Sequence, residues 1–95
     1  NFQQTGSNKE IMDLGNLSEK WKSFGWNVAE IDGHSLLELK NYFDTRKDNK
    51  KPSALIANTI KGKGFSFSEN NNTWHHSVIT KSIYELGIEE LKNGN

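Results

Sequence analysis

The chain has 95 residues, of which 33% are hydrophobic, and a mean hydropathy of −0.81, so it holds one domain at most. Twelve Lys and Arg balance twelve Asp and Glu, so no net field draws nucleic acid or an anionic membrane surface. With no cysteine, a disulfide framework and thiolate–zinc sites are excluded; no apolar run approaches the roughly 20 residues of a membrane span, no signal peptide is visible, and a cytoplasmic protein is the expectation.

Five Phe, three Trp and two Tyr make the expected core thin and aromatic, in need of a neighbour. The only methionine, Met12, lies inside a periodic segment, and the chain opens at Asn1-Phe2-Gln3. The expectation is a chain cut from something longer.

Residues 1–6 end in Thr5-Gly6 and read as loop. Ser7 and Glu10 form a capping-box pattern ahead of Ile11, starting a helix that Gly15-Asn16 keeps short. Leu17, Trp21 and Phe24 recur at helical spacing and predict a helix over 17–24, closed by Gly25. Val28, Ala29 and Ile31, ending in Asp32-Gly33, predict a short buried strand over 27–31.

Ser35 and Glu38 repeat the capping-box pattern, and Leu36, Leu39 and Phe43 predict a helix over 35–46, widened by Leu37. Lys47-Asp48-Asn49-Lys50-Lys51-Pro52 is a charged turn. Ala54-Leu55-Ile56-Ala57, continuing to Ile60, predicts a strand over 54–60 buried on both faces. From Lys61 to Asn72 the chain is Gly-, Ser- and Asn-rich loop. A last helix over 80–92 has Ile79, Ile83, Leu86 and Leu91 on one side, and Asn93-Gly94-Asn95 frays. Strands alternating with helices predict an α/β fold: a fragment of a parallel sheet with flanking helices. Two strands are too few for a stable sheet, which again implies a fragment.

The loop after the second strand lies where ligands sit in open α/β sheets. Gly62 and Gly64 permit close backbone approach, and Lys61 and Lys63 add two positive charges to amide donors, a combination suited to phosphate or diphosphate. A solvated, mobile surface loop explains the same residues, and nothing matches a P-loop. Beside Trp74, a buried His75 or His76 could exchange a proton near physiological pH; a solvated pair is the plainer reading. His34 adds a third histidine without metal-ligand spacing. Asp32-Gly33-His34 reads as a structural turn, and the stripes Leu17/Trp21/Phe24 and Leu36/Leu39/Phe43 read as core.

Several motifs agree in order and spacing with one family. Lys20-Trp21-Lys22-Ser23-Phe24-Gly25-Trp26 is similar to K-W-x-x-F-G-W, and Ile31-Asp32-Gly33-His34 to V/I-D-G-H. Pro52, Leu55-Ile56-Ala57 and Thr59-Ile60-Lys61-Gly62-Lys63-Gly64 resemble K-P-x-x-I-I-A-x-T-x-K-G-K-G. Ser66-Phe67-Ser68-Glu69-Asn70 and Trp74-His75 resemble S-F-M-E-N…W-H, with His75 falling 75 − 61 = 14 residues after Lys61. Over about residues 2–80 the chain resembles the transketolase family.

The resemblance implies that residues 1–95 are the carboxyl-terminal portion of a thiamine-diphosphate-binding domain, on its diphosphate side. It implies that Lys61 and His75 bind the cofactor, that His75 also serves catalysis, and that the Phe2 backbone carbonyl ligates Mg²⁺ in the parent enzyme. His76 stands where the family has glycine. The family's G-D-G segment and the asparagine that ligates Mg²⁺ fall upstream of Asn1, and its cofactor-activating glutamate belongs to another domain. The implied activity is a transferase of the pentose phosphate pathway, passing a two-carbon ketol unit between sugar phosphates. The chain alone is expected to be inactive, and to need the rest of the transketolase in a homo- or hetero-oligomer. The alternative from a different class is a stand-alone, non-catalytic interaction module derived from this fold.

Overall fold

The computed structural model describes residues 1–46 and 50–94, so three residues of the charged turn, 47–49, and the terminal residue 95 lie outside it. In chain order the helices are α1 (Asn8–Ile11), α2 (Leu17–Ser23), α3 (Leu36–Thr45) and α4 (Lys81–Asn93), and the strands are β1 (Asn27–Asp32) and β2 (Ser53–Asn58). A short 3-10 helix spans Asn72–His75. The chain divides into two compact units, one of Leu14–Thr59 and one joining Asn1–Asp13 to the chain from Ile60 onward.

In the unit Leu14–Thr59, β1 and β2 pair in parallel, from Asn27 opposite Ser53 to Asp32 opposite Asn58. This is the α/β arrangement the alternating pattern predicts, with α2 packed on both strands and α3 on β1. The Asn16 side chain caps α2 by accepting the Glu19 N–H at 3.0 Å. At its far end Gly25, with φ of 81°, donates its N–H to the Lys22 carbonyl at 2.8 Å. Trp21 and Trp26 then meet with ring centroids 4.6 Å apart.

The turn from β1 into α3 is tied twice to Asp32: His34 N–H donates to its Oδ1 at 2.9 Å, and Ser35 N–H to its carbonyl at 3.1 Å. Ser35 Oγ accepts the Glu38 N–H at 3.2 Å, but the Glu38 carboxylate accepts from Asp32 N–H at 2.9 Å and not from Ser35. Only half of the second capping box therefore forms, because the Ser35 amide is already committed to Asp32. Gly33 continues the ladder, its N–H donating to the Asn58 carbonyl at 2.7 Å.

Burial departs from expectation. Among the described residues no hydrophobic side chain is buried. In the two stripes read as core, Leu17 and Leu39 are half-buried, whereas Phe24 (81%), Leu36 (82%) and Phe43 (59%) are exposed. β2, expected to be covered on both faces, is half-buried at Ala54, Leu55 and Ile56, and Ala57 is exposed. A two-stranded layer is too narrow to cover the helices beside it or to be covered by them.

In the other unit, the capping box at α1 is complete: Ser7 Oγ accepts Glu10 N–H at 3.3 Å, and the Glu10 carboxylate accepts Ser7 N–H at 3.3 Å. The Ser7 hydroxyl also donates to that carboxylate at 2.7 Å, and this bond first and the Ser7 N–H second hold the Glu10 carboxyl below the usual glutamate range. Residues 1–6, read as loop, include an antiparallel bridge between Phe2 and Ser7. At α4, Thr80 accepts the Ile83 N–H at 3.4 Å, and Gly94 closes the helix at φ of 73°. Asn93 is thus helical and Gly94 a cap, where fraying was expected. The helix turns Ile83, Gly87 and Ile88 inward, while Ile79 and Leu91 are 65% and 62% exposed.

Candidate functional site

Two tight turns shape the loop that follows Ile60. β2 stops at Asn58 and does not run on to residue 60, because its partner β1 ends opposite it at Asp32; the Ile60 carbonyl then accepts the Lys63 N–H at 3.2 Å. Gly62 has φ of 73° and Gly64 φ of 107°, conformations that side-chain-bearing residues rarely adopt. Ser68, which is buried, donates its hydroxyl to the Gly62 carbonyl at 2.8 Å, and Asn70 N–H donates to the Lys61 carbonyl at 2.9 Å. The Lys61 backbone is therefore pinned from across the loop.

The two lysines differ in their surroundings. Lys63 Nζ lies 3.3 Å from Glu69 Oε1, and the same oxygen accepts the Gly64 N–H at 3.0 Å. Lys61 is half-buried, and among the described residues no carboxylate pairs with its ammonium. This corrects the picture of open amide donors flanked by two free lysines. The amides of Lys63 and Gly64 are internally satisfied, and Glu69 neutralises Lys63. Glu69 lies in the Ser66–Asn70 motif, which gave it no role; its position five residues after Gly64 puts it within reach of a loop that folds back.

Three aromatic rings lead from this loop to the histidines. Phe65 and Phe67 stack at 5.3 Å, and Phe67 meets Trp74 at 5.0 Å. Asn71 caps the 3-10 helix, its Oδ1 accepting the Thr73 N–H at 3.1 Å and the Thr73 hydroxyl at 2.7 Å. The Asn71-x-Thr73 spacing is the signal that a reading of residues 61–72 as plain loop passes over. Trp74 is half-buried, but His75 and His76 are both exposed, so neither occupies the buried position considered from sequence. His34 is also exposed and belongs to the other unit.

Phe2, Lys61 and His75 share one compact unit, and among the described residues no hydrogen bond or ion pair joins any two of them. The bridge at Phe2 is flanked by Gln3 N–H to the Gly6 carbonyl and Asn8 N–H to the Asn1 carbonyl, both 2.8 Å. In that pattern the N–H and C=O of Phe2 itself point away from Ser7. A backbone carbonyl not engaged by its bridge partner is the kind of oxygen donor Mg²⁺ accepts. Among the described residues no three His, Asp or Glu side chains gather into a metal cage. The residues present offer two of the groups a diphosphate and its Mg²⁺ would take: an ammonium at Lys61 with no carboxylate partner among the described residues, for the anion, and a backbone carbonyl oxygen at Phe2, for the cation.

The helices and two-stranded parallel sheet define an α/β fragment. No family model matches the chain. It is 37% identical over 91 residues to an apulose-4-phosphate transketolase subunit of Phocaeicola vulgatus, covering 95% of this chain and 32% of that protein. It is 40% identical over 92 residues to the 6-deoxy-6-sulfo-D-fructose transketolase subunit SqwG of a Clostridium species, covering 96% and 34%. Against the transketolase of Homo sapiens the identity is 36% over 80 residues, covering 84% and 12%. The chain belongs to the transketolase family. It spans about a third of the length of the two bacterial subunits it matches.

Proposed function

We propose that this chain forms part of a thiamine-diphosphate- and Mg²⁺-dependent transketolase, moving a two-carbon ketol unit between sugar phosphates, and supplies its diphosphate-side loop. The observation that carries the reading is the 37% and 40% identity to two transketolase subunits along nearly the whole chain. When bound, the cofactor supplies the carbanion chemistry at the ketose carbonyl. Lys61 pairs with the diphosphate, since Lys63 is already engaged by Glu69. The Phe2 carbonyl contributes one oxygen to Mg²⁺. His75, exposed at the end of the 3-10 helix, holds or protonates the reacting sugar. Because the family's G-D-G segment and its Mg²⁺-ligating asparagine are not among these 95 residues, the chain alone neither binds the cofactor tightly nor turns over. Its partner is the remainder of the transketolase.

The test is four alanine variants in the full-length protein. Lys61→Ala should weaken cofactor binding, since a charge-assisted contact is worth roughly 1.5–3 kcal/mol. His75→Ala should slow turnover at saturating cofactor. Lys63→Ala and His76→Ala should do much less. If His76→Ala damages turnover as much as His75→Ala, the Trp-His register is wrong and the site assignment fails.

A further inference from the structure

Glu90, half-buried on α4, takes both donors of a single loop residue: its Oε2 accepts the Ser66 N–H at 2.9 Å, and its Oε1 accepts the Ser66 hydroxyl. Three residues earlier on the same helix face lies Gly87, which is buried. A Cβ there would stand 3.4 Å from Phe65 Cε1 and 3.8 Å from Phe67 Cε1. The helix thus offers a bare backbone to the two rings and a carboxylate to the serine between them. What it grips is the middle of the candidate site. On one side of Ser66 the chain runs back through the Gly62–Ser68 contact to Lys61; on the other, Phe67 passes the packing on to Trp74, the neighbour of His75.

We infer that Glu90 is a positioning residue: by holding Ser66 against α4 it sets where both Lys61 and His75 stand. The inference rests on the reading of Lys61 as a cofactor contact. A group that only stabilised the fold could be lost without changing the affinity of the protein that remains folded. A positioning group shows in affinity and in the local motion of the loop.

The experiment measures three things in the full-length protein: the Kd for thiamine diphosphate with Mg²⁺, the thermal midpoint, and hydrogen exchange over residues 60–76. Glu90→Ala should raise the Kd about tenfold, the lower end of what losing a supporting partner costs, and speed exchange around Ser66. Glu90→Gln should restore both, because its amide oxygen accepts the Ser66 N–H and its amino group donates to the hydroxyl oxygen. Ser66→Ala, which removes one donor only, should raise the Kd by about threefold. Wild-type Kd and exchange in Glu90→Ala, with Lys61→Ala still weakened, would overturn the role of Glu90 and leave the cofactor reading standing. If Lys61→Ala leaves the Kd unchanged, the reading fails and the inference with it. Should Glu90→Ala not fold, an unchanged Kd and unchanged exchange in Ser66→Ala would overturn the inference equally.

Discussion

Gly62 lies so close to Ser68 that a Cβ on it would overlap the Ser68 carbonyl and stand 2.9 Å from its Oγ. Gly64 is different: its φ of 107° is just as restrictive, but nothing lies within 4 Å of where its Cβ would be. Strain alone costs about 1–3 kcal/mol at such a position. Gly64→Ala should cost about that much, and Gly62→Ala more, since Ser68 must move and its buried hydroxyl lose an acceptor. Denaturant unfolding of the two variants makes the comparison. Equal losses would mean that the loop relaxes away from the contact.

At Gly33 the conformation is ordinary and space is the constraint. A Cβ there would meet Thr59 Cγ2 at 2.6 Å, the Asn58 carbonyl oxygen at 3.0 Å and Ala57 Cβ at 3.1 Å. Gly33→Ala should destabilise by about 1–3 kcal/mol, as overpacking does. Thr59→Ser removes the nearest methyl and keeps the hydroxyl, so the double variant should recover part of the loss. A double-mutant cycle with no coupling would show that the clash is taken up elsewhere.

The capping box at α1 gives a pH dependence of known sign. Hydrogen bonds from Ser7 hold the Glu10 carboxyl below the usual glutamate value of 4.5. A lowered folded-state pKa contributes stability that is fully present above the unfolded value and is lost as pH falls through the folded one. The first helix should therefore fray below pH 4.5. Ser7→Ala should move the Glu10 titration, followed by NMR, toward its ordinary range, the remaining backbone N–H bond holding part of the lowering. An unshifted titration in the wild-type chain would remove the capping box from solution.

The outward apolar face of α3 predicts association. Leu36, Leu37 and Phe43 are 82%, 67% and 59% exposed, an apolar stretch of the kind that marks contact surfaces. The 95-residue chain should sediment with concentration-dependent mass, and Leu36→Glu with Phe43→Glu should shift it toward monomer. A sharply melting monomer at all concentrations would count against this.

Element boundaries were the most legible part of the sequence, because local signals set them. Ser7, Ser35 and Gly25 cap the helices their positions announce, whereas Asn16, read as an interruption of the first helix, turns out to cap the second. Parallel pairing followed from the period change between the strands and helices. Burial was not legible: periodicity says which face of α3 is apolar, but cannot say whether another layer covers Leu36. Within the site, Lys61 and His75 stood out through motif spacing. The motif around Glu69 gave no hint of its pairing with Lys63, and Glu90 drew no notice at all, since each acts through a contact that only the folded loop creates. Ser66 and Glu90 lie 90 − 66 = 24 residues apart, beyond any local rule.

The register of the sheet has a kinetic consequence. Its first pair, Asn27 with Ser53, spans 53 − 27 = 26 residues, and every later pair keeps that separation. No hairpin can nucleate such a ladder. Bringing the strands together costs roughly 3 kcal/mol of closure entropy at this length before any bond between them is made. The helices can form locally within microseconds, so they should be in place while the strands are still searching. The rate of sheet formation is then governed by the intervening segment, which carries all of α3. Whatever shortens or stiffens residues 33–52 should speed folding, and a chain break there would turn a search within one molecule into an encounter between two.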